Sequence, residues 1–202
     1  MSHIFLTPAN RVEHELVVNK SRFIAWIAPA TDREQAMALL DEARFAYPDA
    51  RHHCWAYVLG NPTNAASAAA NDGGEPSGTA GKPILNVIQH KGIGNIMVVV
   101  IRYFGGIKLG AGGLVRAYSG ATQQAVELLD LVEQRPLETV QVLLAYPQEP
   151  LIRRWIDNHA AALIDADYGV EIVMRLQLEK SLRPQLEDWL AGRDGCRLLD
   201  PE

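Results

Sequence analysis

Two stretches of this chain gather residue types that do chemistry. The first, NDGGEPSGTAGKP (71–83), sets Asp72 and Glu75 three residues apart, with Ser77, Thr79 and Lys82 close behind. Carboxylates so placed could serve as an acid/base pair or share a divalent cation, with the hydroxyls and the ammonium as donors. Asp, Ser and Thr beside Gly and Pro are also what turns and helix caps use, and turn-making is the simpler reading. The second stretch, RYFGGIKLGAGGLVRAY (102–118), interleaves Arg102, Tyr103, Lys108 and Arg116 with Gly105, Gly106, Gly110, Gly112 and Gly113. Glycine permits positive φ and removes the Cβ that holds a ligand away, and unpaired N–H groups at a helix start near Gly112-Gly113 favour an oxyanion. The competing reading is tight turning and close helix–strand packing, and composition alone leaves the two open.

Familiar phosphate loops do not fit. Gly81-Lys82 is followed by Pro83 where a Walker loop needs Ser or Thr, and GGIKLGAGG has no Lys-Ser/Thr pair. GAGGLV matches a dinucleotide fingerprint loosely, but its acidic ribose partner would have to be Glu127 or Asp130, within a helix. Successive side chains of His52, His53 and Cys54 on a strand point to opposite faces, so the three cannot chelate one ion. No metal and no cofactor is expected.

Charge is distributed unevenly. The formal net charge is −5; residues 1–135 hold twelve Lys and Arg against twelve Asp and Glu, and 136–202 hold seven against twelve. Residues 76–126 contain Lys82, Lys91, Arg102, Lys108 and Arg116 and no acid at all. Positive potential concentrated in this way suits phosphate or another anionic partner. No uncharged apolar run approaches the length of a bilayer span, so no membrane role is expected. The first residues, MSHIFLTPANRVEHELVV, do not read as a secretory signal, and Cys54 and Cys196 are read as free thiols, which together imply a cytoplasmic protein.

The elements that must position these residues follow from periodicity. VEHELVVNKSRFIAWIAP reads as a hairpin turning at Asn19-Lys20, and Thr31-Asp32 caps a helix carrying Ala36, Leu39, Leu40 and Ala43 on one face. ARHHCWAYVLG (50–60) is a strand closed by Gly60, and residues 61–80 keep no period and read as a long loop. A short helix follows Gly81-Lys82-Pro83, then NIMVVVIRYF, apolar enough to be a strand covered on both faces. Leu114, Tyr118, Ala121, Ala125, Leu128, Leu129 and Val132 then predict one long helix, stopped by Arg135-Pro136, where the domain boundary is placed. The remainder reads βαββαβ, with Val170, Ile172, Met174, Leu176 and Leu178 on the buried face of one strand, Ser181 capping the second helix, and CRLLD (196–200) as the last strand.

Three motifs in order, ARHHCWAYVLG, DGGEPSGTAGKPIL and VVVIRYFGGIKLGAGGLVRAYS, followed by a small domain, resemble the IMPACT/YigZ family over essentially the whole chain. The family usually carries two aspartates before the glycine of the middle motif, and here the second position is Gly73. The resemblance implies an α+β protein of two domains: residues 1–135, similar to the βαβ domain IV of elongation factor G, and 136–202, a ferredoxin-like βαββαβ domain. Eukaryotic relatives restrain starvation control of translation initiation by binding the activator of a kinase, but they carry a different accessory domain, so the resemblance does not transfer that role whole to this chain. The expected function is therefore binding or regulation linked to translation, with RNA or the ribosome as partner and no established catalytic constellation. A phosphorylated small molecule on the same glycine turn, or a protein partner at the acidic C-terminal domain, are the alternatives.

Overall fold

The sheet that carries the glycine-rich turn begins as a hairpin. In the computed structural model, which describes residues 4–199, β2 (Val12–Val18) and β3 (Ser21–Pro29) pair in register from Val12↔Ile27 to Val18↔Ser21. Asn19 and Lys20 both have positive φ (47° and 63°), the two-residue turn whose twist matches that of the strands. α1 (Arg33–Ala46) follows, with the Asp32 carboxylate accepting from Gln35 N at 2.9 Å. β4 (His52–Leu59), α2 (Gly81–Lys91), β6 (Ile96–Tyr103) and α3 (Gly110–Val126) complete the first unit's frame.

With β5 (Ser67–Asn71) at one edge, the five strands lie in the order β2-β3-β6-β4-β5, and every neighbouring pair is antiparallel. β3 and β4 therefore run parallel with β6 between them, so β3-α1-β4 is a split βαβ unit. β6 is covered on both faces, as its composition predicts. Ile96, Val98 and Val100 pack under α2 and α3 with Ile84, Ile88, Tyr118 and Ala121, while Met97, Val99 and Ile101 pack on α1 with Leu39 and Leu40. Each large apolar side chain so buried contributes about 1.5–3 kcal/mol, which makes this strand the mechanical centre of the unit.

Two expectations fail here. Residues 61–80 are not one structureless loop: β5 (Ser67–Asn71) pairs with β4 from Leu59↔Ser67 to Trp55↔Asn71. Three alanines carry no strand signal; cross-strand hydrogen bonding at the sheet edge selects the extended form. The long helix also stops at Val126, because β7 (Leu131–Gln134) pairs antiparallel with β1 (Phe5–Pro8), a partner some 120 residues away that no local pattern reveals.

The chain divides into two compact units, Ile4–Gln134 and one beginning at Arg135. The second is α+β in the expected order: β8 (Leu137–Leu144), α4 (Glu149–Asn158), β9 (Ala162–Tyr168), β10 (Ile172–Glu179), α5 (Arg183–Ala191) and β11 (Cys196–Leu199). Its antiparallel sheet runs β11-β8-β10-β9, the ferredoxin-like arrangement. Val140, Val142, Leu144, Met174 and Leu176 form one core with Ile152 and Trp155 of α4 and Leu186 of α5. Val170 does not join that face; it sits in the turn before β10, 99% exposed. Ser181 is no helix cap either, since its hydroxyl bonds Glu179 within a 3-10 turn and α5 begins at Arg183. Asp200 of the CRLLD segment lies outside the described residues. No helix among the described residues is long and apolar enough to cross a membrane.

Candidate functional site

Asp72 organises the loop that follows β5. Its Oδ1 accepts from the backbone N–H groups of Ala80 (3.0 Å) and Gly81 (2.9 Å), and Oδ2 from that of Gly78 (2.8 Å). Ala80, the residue before α2, offers no side-chain oxygen, so Asp72 caps the helix from eight residues upstream. Burial would raise the carboxyl's pKa, but the three N–H donors outweigh it and hold the group below the ordinary carboxylate range. A group so engaged is a structural anion, not a general base. Thr79 is likewise a turn former, donating from Oγ1 to Pro76 O at 2.6 Å, and Ser77 is exposed.

The loop is strapped to β4. His52 Nδ1 donates to Gly73 O at 3.0 Å, and Cys54 Sγ lies 2.9 Å from Asp72 O. His52 and Cys54 share one face of β4, two residues apart, as a strand requires. Gly73 has φ 55°, and a Cβ there would collide with the backbone carbonyl of His53. In this chain the departure from a second aspartate thus goes with a close backbone approach between loop and strand.

Glu75, three residues after Asp72, turns inward. Its Oε1 accepts from Arg102 Nη1 at 2.6 Å and Tyr118 Oη at 2.8 Å, and His52 Nε2 lies 4.0 Å away. The side chains of Glu75 and Arg102 are 3% and 8% exposed. Tyr118 Oη in turn lies 3.2 Å from Cys54 Sγ. Burial pushes the Cys54 thiol up to about 12, and burial together with the Cys54 and Glu75 neighbours raises the Tyr118 phenol. Both groups are neutral at physiological pH, which excludes thiolate or phenolate attack from this cluster.

Over the Glu75–Arg102 pair opens a cleft of about 390 Å³, bordered by Arg51, His52, Phe104, Lys108, Leu109 and the α3 residues Gly110, Ala111 and Leu114. Phe104 is 58% exposed and holds its ring 5.8 Å from the Arg102 guanidinium. α3 begins at Gly110, two residues earlier than its glycines suggest, so Gly112 and Gly113 lie inside its first turn. Gly106 and Gly110 have positive φ (86° and 69°). Gly105 serves packing: its N–H donates to Ser21 Oγ at 3.1 Å, and a Cβ there would collide with the Lys20 backbone of the hairpin turn.

The four cations singled out by sequence do not converge. Arg102 is committed to Glu75, and Lys108 borders the cleft. Arg116 borders the neighbouring depression with Leu16, Val18 and Asn19, which shares Leu109 with the cleft, and Lys82 is exposed on α2. Tyr103 turns away from the cleft, because alternation along β6 sends it to the α1 face, where its ring stands 6.4 Å from that of Tyr47. His52, Tyr118 and Arg51 are the site residues that sequence reasoning passed over. Tyr118 was readable as more than packing, since a hydroxyl on a buried helical stripe needs a partner. Among the described residues no group of three or more His, Cys, Asp or Glu side chains could hold a metal ion.

Comparison with known proteins agrees with this architecture. Residues 19–126 match the Impact N-terminal domain, and residues 142–193 match a domain of unknown function, DUF1949. The chain is 39% identical over 174 residues to the IMPACT family member YigZ of Escherichia coli K12, covering 86% of this chain and 85% of that protein. It is 34% identical over 195 residues to an IMPACT family member of Haemophilus influenzae, covering 96% and 95%. A crystal structure of a hypothetical protein superposes with a TM-score of 0.78 at 36% identity, covering 100% of this chain and 98% of the other. The domain order, the identities and the shared fold together place this chain in the IMPACT family.

Proposed function

We propose that the protein is a non-catalytic binding protein of the translation apparatus that takes an exposed nucleotide of RNA in the cleft above Glu75 and Arg102. The observation that carries this reading is the gathering, in one cleft, of Lys108, Arg51, the first residues of α3 and the exposed ring of Phe104. Ammonium and guanidinium groups beside a helix N-terminus favour a phosphate, and an exposed aromatic ring favours a stacked base. Of the cations in the acid-free segment other than Arg102, Lys108 borders this cleft, which supports an anion meeting that end of the segment, while Arg116 lines the neighbouring depression. Membership of a family linked by resemblance to translational control supports RNA over an unrelated polyanion.

The test is titration of a fluorescent single-stranded RNA at several salt concentrations. Arg51→Ala with Lys108→Ala should weaken binding and flatten the log–log salt slope by about two phosphates' worth, roughly 1.4 on single strands. Lys82→Ala with Arg116→Ala should leave both affinity and slope nearly unchanged. Equal losses from the two pairs would remove the cleft from the reading.

A further inference from the structure

We infer that the cleft is a site for a phosphomonoester, the doubly charged terminal phosphate of an RNA 5′ end or of a free phosphorylated molecule. The inference rests on the cleft being the nucleotide site proposed above and names the kind of phosphate that it takes. Arg102 carries the argument. It borders the cleft with its side chain 8% exposed, yet Glu75 engages Nη1 alone: Nε is buried without an acceptor, and Nη2 makes no hydrogen bond among the described residues. Nε–H and Nη2–H form the edge on which a guanidinium grips two oxygens at once, as Arg22 grips Glu15 in this chain at 3.0 and 2.7 Å. A buried donor without an acceptor is costly, so the edge left open is suited to oxygens that a ligand brings.

The start of α3 adds further donors. Gly110 and Ala111 border the same cleft, no side chain among the described residues caps this helix, and its first turn holds no acid. The other two helices of the first unit are supplied from within, α1 by the Asp32 carboxylate and α2 by that of Asp72. α3 therefore keeps its first N–H groups for an anion from outside. Charge and oxygen count then select the anion. Arg51, Arg102 and Lys108 border the cleft against a single acid, Glu75, which leaves an excess of two positive charges. A phosphomonoester carries about −1.5 to −2 near neutral pH, whereas a phosphate inside an RNA chain carries one negative charge. The monoester also presents three free oxygens, two for the Arg102 edge and one for the helix start. A phosphodiester has only two and carries chain on both sides.

The experiment titrates the full chain with two uridine decamers labelled at the 3′ end, identical except that one carries a 5′-phosphate and the other a 5′-hydroxyl, and by calorimetry with UMP, uridine and inorganic phosphate. The phosphorylated decamer should bind about tenfold or more tighter, the scale of one charge-assisted two-pronged contact. Ala111→Glu places a carboxylate in the exposed first turn of α3, where an acid favours the helix, and should cut that preference below about twofold with no loss of melting temperature. Arg102→Lys keeps the charge, removes the two-pronged edge and should do the same in folded protein. Because the lysine also disturbs the pair with Glu75, Ala111→Glu is the deciding variant. Equal binding of both decamers, with UMP no tighter than uridine, would overturn the monoester site and leave the RNA reading standing on internal phosphates. Binding of UMP and phosphate with no binding of either decamer would support the site for a free phosphorylated molecule and overturn the RNA reading. No binding of the phosphorylated decamer, UMP or phosphate, or a preference unmoved in Ala111→Glu, would overturn the inference.

Discussion

The guanidinium of Arg102 and the carboxylate of Glu75 stand 2.6 Å apart in the interior of the first unit, joining the end of β6 to the loop that precedes α2. Neither residue is near the other in sequence. Their pairing adds to the His52–Gly73 and Cys54–Asp72 contacts that fasten the capping loop over the sheet, and both residues line the cleft.

Breaking this pair from one side should cost more than removing it whole. Arg102→Ala leaves the Glu75 carboxylate without its counter-charge and should destabilise the protein by about 3–5 kcal/mol. Arg102→Met combined with Glu75→Leu should cost much less. Urea denaturation of the three proteins checks it, and a double variant as unstable as the single would show that the pair's geometry, not its charge, holds the loop.

The two kinds of glycine in the 105–113 turn should respond oppositely to alanine. At Gly112 the backbone is helical and an added Cβ meets only the tip of Arg116 at 3.6 Å, so Gly112→Ala should raise stability by about 0.5–1 kcal/mol. At Gly105 the Cβ runs into the Lys20 backbone, and Gly105→Ala should lower stability by about 1–3 kcal/mol. Thermal melts of both variants give the signs directly.

Asp72 should make the protein acid-sensitive. Its folded pKa is depressed, so its stabilisation is fully present above the ordinary carboxyl value of about 3.9 and is lost as pH falls through the lower folded value. Asp72→Ala should cost about 0.5–2 kcal/mol near pH 7, the range for a lost helix cap, and progressively less below about pH 4. Denaturation midpoints of both proteins from pH 7 to pH 2.5 should converge on the acid side; parallel curves would place the helix cap elsewhere.

Cys54 should be silent to thiol reagents in the native state. It is fully buried, its pKa is pushed up to about 12, and the thiolate is the reacting form. Cys196 is only partly buried, so native protein should titrate one thiol slowly and unfolded protein two. Rapid modification of Cys54 at pH 8 would mean that the loop over β4 opens readily.

The hairpin at Asn19-Lys20, the doubly covered β6, the Asp32 cap and the βαββαβ order of the second unit were legible in the sequence because each rests on a short-range period or a local turn preference. β5 and β7 were not: alanines and a continued helical stripe give no strand signal, and both segments are extended because a distant strand offers hydrogen bonds. The motifs Asp72–Glu75 and Arg102–Arg116 could be found from residue type, but not their division of labour. Only the tertiary structure decides that Asp72 caps α2 while Glu75, one turn later, takes Arg102 and Tyr118. It likewise puts Lys108 on the cleft and Arg116 on the neighbouring depression, which shares Leu109 with it. Charges close in sequence were separated by the alternation of a strand and the rotation of two helices, and charges far apart in sequence were joined because a buried ion needs a partner wherever the fold can supply one.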